Sequence, residues 1–94
     1  MPFRALVIKR QASIRMLERR IQLQDIIGVI NTGFTIERYP DDEPYPSRLM
    51  LGWVGERPIH VVVAEDTDET AYIITVYEPD PAEWNADFTL RTNP

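Results

Sequence analysis

Apolar residues recur with two different spacings along this chain, and the spacing changes at Gly33. In the stretch from Gln11 to Ile21, Ala12, Met16 with Leu17, and Ile21 fall near helical spacing. A second helix is predicted over Leu23 to Gly33, with Leu23, Ile26, Ile27 and Ile30 as its apolar stripe. Gly33 suits the left-handed residue that follows many helix ends. Ahead of both, Phe3 to Ile8 is a short apolar run that fits either a first strand or the lead into a helix.

Beyond Gly33 the positions alternate. Phe34, Ile36 and Arg38 fall on one side of a strand, and Thr35, Glu37 and Tyr39 on the other. Pro40 to Pro46 holds three prolines in seven residues, so it cannot continue a ladder and is read as a loop. Ser47 to Val54 and Ile59 to Glu65 are strands, separated by Gly55-Glu56 and Arg57-Pro58; glycine first suits a two-residue II′ turn. Asp66 to Thr70 is the next turn and Ala71 to Tyr77 the last strand. Pro79 and Pro81 stop further pairing, and Asp80 is placed to cap a short terminal turn with Pro81 at its first position. The order (β)ααββββ predicts one α+β domain over residues 1–94: two N-terminal helices packed on a mainly antiparallel four-stranded sheet.

This register sets Leu51 opposite His60 on one side and Val76 opposite it on the other. His60 then stands among large apolar neighbours, which reads as a neutral core histidine; the alternative is proton transfer at the rim of the sheet. Trp53 and Tyr72 have rings able to stack bases, although their strand positions predict core packing first. The acids at Asp41 to Glu43 and at Asp66 to Glu69 match no calcium loop and read as turn residues.

Composition narrows the chemistry. The chain has no cysteine, so disulfides and thiolate catalysis are excluded, and a zinc site would have to rest on His60 and carboxylates. Neither a metal nor a cofactor is expected. No apolar stretch approaches the roughly 20 residues that span a membrane, and no signal-peptide pattern opens the chain, so the expected compartment is the cytoplasm. The net charge of −5 hides an asymmetry. Residues 1–36 hold six bases against two acids, and residues 37–94 hold four against thirteen. Screening confines each region's influence to about 10 Å, so a local basic face can still hold phosphate. Nine of the ten bases are arginines, the side chain suited to bidentate phosphate contact. Arg15 and Arg19 lie four apart and project from the same helix face, with Arg20 beside it. A solvated helix face is the plain alternative.

The blocks Arg15-Met-Leu-Glu-Arg-Arg-Ile21, Val29-Ile-Asn-Thr-Gly33, Tyr39 to Gly52, Arg57-Pro-Ile-His-Val-Val-Val-Ala64 and Tyr72 to Trp84 resemble a bacterial family of small domains of unknown function. That family looks related to the RelE/ParE-like toxins, including the BrnT and MqsR types, and the resemblance covers about Gln11 to Phe88. It implies a toxin-like fold and metal-independent cleavage of messenger RNA. Arg15, Arg19, Arg57 and His60 match as catalytic positions, and Lys9, Arg10 and Arg20 are candidates for holding the RNA backbone. It also implies a cognate antitoxin as partner, of a zinc-finger type. Exposed apolar residues on one sheet face would suit a homodimer. One departure stands out: the family typically begins its first helix with a histidine where this chain has Gln11, and glutamine exchanges no proton near neutral pH. A catalytically inactive interaction module that kept the toxin fold is therefore the alternative function.

Overall fold

The computed structural model describes residues 3–92. Strand β1 (Ala5–Ile8) is followed by helices α1 (Arg10–Arg19) and α2 (Leu23–Thr32). Strands β2 (Phe34–Tyr39), β3 (Ser47–Val54), β4 (Arg57–Glu65) and β5 (Thr70–Tyr77) come next. The α+β class and the two helices are as expected, but the sheet has five strands and is mixed, in the order β1-β5-β4-β3-β2. The extra strand is the Phe3 to Ile8 run. Its residues Ala5 to Ile8 pair parallel with Thr70 to Ile73, a partner so distant in sequence that no local pattern announces it. Among the described residues no helix is long and apolar enough to cross a membrane.

Both helices pack on one face of the sheet. The core joins Ala12, Ile21, Ile26, Val29 and Ile30 from the helical half to Met50, Ile59, Val61, Val63, Ile73 and Val76 from the strands. The α2 stripe is rotated from the expected one: Val29 is buried, while Leu23 is 46% exposed. Leu17 is more exposed still, because Met16 takes the inward position and α1 ends soon after it. Its stop is Arg20, in the left-handed region at φ 54°, after which the Ile21 N–H donates to the Met16 carbonyl. The start of α2 is secured by reciprocal bonds between Gln22 and Asp25.

Two bulges correct the predicted faces. From Glu65 to Val63, β4 pairs with β5 as the turn length predicts, but Val63 meets Ile73 and Val62 meets Thr75, so Ile74 is an extra residue. Beyond it the parity flips: Val76 joins the core opposite Val61, and Tyr77, not Val76, lies opposite His60. In β2, Thr35 meets Met50 and Glu37 meets Leu49, leaving Ile36 extra. Glu37 and Tyr39 therefore share the helix-free face with Phe34, rather than opposing it. The β3–β4 hairpin is as predicted, with Leu51 opposite His60 and positive φ at Gly55 only.

Gly33 has extended backbone (φ −80°, ψ −172°), not the left-handed cap expected of it. Its need for glycine is steric: a Cβ there would collide with the backbone carbonyl oxygens of Leu51 and Val29. A Cβ on Gly52 would lie 2.7 Å from Val29 Cγ2 and 3.0 Å from its Cα. These two glycines let α2 rest directly on β3. Gly33→Ala is expected to destabilise the fold by about 2–3 kcal/mol and Gly52→Ala by about 1–3 kcal/mol. Urea unfolding of each variant measures this, and unchanged midpoints would show that the contact relaxes freely.

Candidate functional site: an arginine-lined cleft over a buried histidine

His60 lies on the helix-free face and is fully buried. Its Nε2 is 2.9 Å from the Phe88 carbonyl oxygen and its Nδ1 is 3.2 Å from the Tyr77 hydroxyl. A carbonyl only accepts, so Nε2 carries the proton, and the bare Nδ1 of the neutral ring accepts from the Tyr77 O–H. Trp84 meets the ring edge-on at 4.4 Å between centroids, and Tyr77 does so at 5.2 Å. Burial lowers the His60 pKa below its ordinary value; the Phe88 carbonyl pulls it upward, Arg91 lowers it and Glu37 raises it. His60 is therefore a neutral, fully bonded histidine at neutral pH.

The lid over it comes from residues past β5. Asp80 starts a turn, as expected, by accepting from the Ala82 N–H through its side chain and from Glu83 and Trp84 through its carbonyl. The chain then doubles back at Asn85, whose side-chain oxygen accepts from the N–H groups of Thr89 and Leu90, and Trp84 pairs with Arg91. Arg91 covers the Trp84 ring at 4.6 Å and pairs with Glu37 at 3.4 Å. Glu37 also accepts from the Tyr39 hydroxyl at 2.6 Å. Burial first, and then this carboxylate, push the Tyr39 pKa up to about 12.

A cleft of about 390 Å³ opens between α1 and this lid, lined by Arg15, Arg19, Thr75, Tyr77, Trp84 and Arg91, with Glu78, Asp80 and Glu83 at its acidic side. Arg15 pairs with Glu18 at 3.4 Å, whereas Arg19 forms no ion pair among the described residues. Gln11, one helical turn before Arg15, extends the Arg15–Arg19 face. Of the catalytic positions read from the sequence, Arg15 and Arg19 come together here. His60 does not line the cleft but touches two residues that do, Trp84 by ring contact and Tyr77 by a hydrogen bond.

Arg57 is placed elsewhere. It holds Glu78 at 2.8 Å, and its guanidinium donates to the carbonyls of Arg19 and Arg20, neutralising the negative end of α1. Lys9 and Arg10 stand at the opposite end of that helix, and Arg20 at its stop, so the three are spread out rather than gathered in the cleft. Arg91 is the cleft residue that sequence reasoning missed. No local periodicity announced it: residues 86–90 are turns and bends, and Arg91 is placed by its bridge to Trp84.

The fold and site define an α+β domain with a cation-lined cleft between α1 and the segment past β5. Residues 8–78 match the family described as Domain of unknown function (DUF4258), and the chain belongs to that family. No curated protein and no solved structure matches the chain.

The lowered His60 pKa carries a stability consequence. The unfolded histidine takes a proton near pH 6.5 while the folded one resists it, so acid favours the unfolded chain. Stability is expected to fall as pH drops from about 7.5 to about 5.5. His60→Gln is expected to be less stable but flatter over that window. Urea midpoints across the range check this, and equal slopes for the two proteins would exclude His60 as the source.

Proposed function

We propose that this protein is a toxin-like, metal-independent endoribonuclease acting on messenger RNA in the cytoplasm. A kinship with the RelE/ParE-like toxins belongs to the same proposal, as does restraint by a cognate antitoxin of the zinc-finger type. The observation that carries it is the gathering of Arg15, Arg19, Arg91 and Tyr77 around one cleft. Cleavage by an internal 2′-hydroxyl forms the O2′–P bond and breaks the P–O5′ bond, leaving a 2′,3′-cyclic phosphate and a free 5′-hydroxyl. Three guanidinium groups suit the charge that grows on the equatorial phosphoryl oxygens. The Tyr77 O–H points at His60 Nδ1, so its oxygen lone pairs are free to accept the 2′-hydroxyl proton as its own passes to the imidazole. The 5′-oxygen takes its proton from solvent at the cleft mouth.

His60 is a weak acceptor in this relay because burial disfavours its charged form. Slow cleavage is the consequence, and Gln11, one helical turn before Arg15, supplies no second base where the family resemblance has a histidine. The second reading, a non-catalytic interaction module with this fold, is favoured by the same two facts, the fully bonded His60 and Gln11.

Growth and transcript integrity after induced expression in bacteria separate the readings. The native protein is expected to cut transcripts, and Arg15→Ala/Arg19→Ala to lose at least about a hundredfold of the rate. His60 is left intact in that variant because its removal would open the core. Gln11→His is expected to raise cleavage by about tenfold or more. Folded native protein and Gln11→His that both leave RNA whole would sink the nuclease and favour the interaction module.

A further inference from the structure

A second cavity, of about 360 Å³, lies beside the cleft and has no part in the cleavage chemistry. Tyr72, Ile74 and Ala64 form its floor on the helix-free face; Lys9 borders it at the start of α1, and Asp42 and Tyr45 reach it from the proline loop. Tyr45 and Tyr72 stack with centroids 5.8 Å apart and planes 17° from parallel. Tyr72 is held by donating its O–H to Asp66 at 2.8 Å, and the same carboxylate accepts from the N–H groups of Asp68 and Thr70. The Tyr72 ring is thus held in place, with Tyr45 stacked upon it.

The two cavities share their sides. On β5, Ile74 lines one and its neighbour Thr75 the other; along α1, Lys9 borders one and Arg15 the other. Six helical residues advance roughly 9 Å, and the strand from Tyr72 to Tyr77 roughly 16 Å. Stacked nucleotides advance about 3.4 Å each, so a few nucleotides of single strand reach from one cavity into the other.

We propose that this cavity is a nucleobase subsite, taking one guanine of the strand whose phosphate lies against Arg15, Arg19 and Arg91. It rests on the reading of the cleft as an RNA site. The aromatic pair offers a stacking surface for a base. Asp42 and Glu43 line the cavity and only accept hydrogen bonds; they repel phosphate and suit the N1–H and amino donors on one edge of guanine. Lys9 is the donor available for its carbonyl, and it forms no ion pair among the described residues. Acids at one end and arginines at the other give the bound strand a direction, base toward the tyrosines and phosphate toward the guanidinium groups.

The test titrates the full chain with a seven-residue 2′-deoxy strand that carries one central guanine and cannot be cleaved, and with the same strand abasic at that position. The native protein is expected to bind the guanine strand at least about tenfold more tightly. Tyr45→Ala and, separately, Lys9→Glu, both outside the core, are expected to bring that ratio close to one. Arg15→Ala/Arg19→Ala is expected to weaken both probes and leave the ratio standing. Equal binding of the two probes by the native protein, or a ratio untouched by Tyr45→Ala and Lys9→Glu, overturns the subsite. A base-dependent ratio with intact RNA supports the subsite and removes the nuclease. Cut RNA with a ratio of one does the reverse.

Discussion

The hydrogen-bond chain from the Tyr77 hydroxyl through His60 to the Phe88 carbonyl is the constraint around which the helix-free face is built. It joins β5, β4 and the segment beyond the sheet through one imidazole, and both ring nitrogens are used. A buried polar group that loses a partner costs about 1–3 kcal/mol. Keeping His60 satisfied therefore fixes where the final segment crosses the sheet. That placement in turn seats Trp84 on the ring and Arg91 over Trp84, and so decides where the cleft's third guanidinium stands.

The same face shows how one extra residue can move chemistry across a sheet. Without the bulge at Ile74, Val76 would face His60 and Tyr77 would enter the helix-covered core. Without the bulge at Ile36, Glu37 would turn away from Leu49 and from Arg91. Each irregularity brings a polar group to the outer face, and the two meet there through Arg91 and its neighbours. The cleft is mixed in charge because the segment past β5 adds acids to its walls. Its arginines stand beside Glu78, Asp80 and Glu83, so it suits a ligand that is anionic in one part and able to donate in another.

Most of the architecture was legible in the sequence because most of it is local. Helical and alternating spacing located both helices and strands β2 to β5, and Gly55 located the hairpin with its correct register. What the pattern did not carry was long-range or irregular. The β1 run pairs with a strand some 65 residues away (Ala5 with Thr70), and bulges leave no compositional mark, so every face assignment past Ile74 inverted. Gly33 was rightly singled out for the wrong reason, since its backbone is extended and the requirement comes from carbonyls of α2 and β3. At the site, Arg15 and Arg19 were legible from helical spacing. The neutral, buried state of His60 was legible as well, from its apolar neighbours on the sheet. The segment that covers it and the turning of Arg57 toward the end of α1 were not, because both depend on segments that meet only in three dimensions.

The order in which the parts leave the ribosome follows from this topology. Strand β1 and helix α1 are made early, but β1 has no partner until Thr70 to Ile73 are made. The remaining walls of the cleft, Thr75, Tyr77, Trp84 and Arg91, come later still. A nascent chain can hold both helices and the β3–β4 hairpin while owning no cleft. The cleft is therefore complete only after residue 91 has been added, and a ligand that needs all of its walls meets them only then.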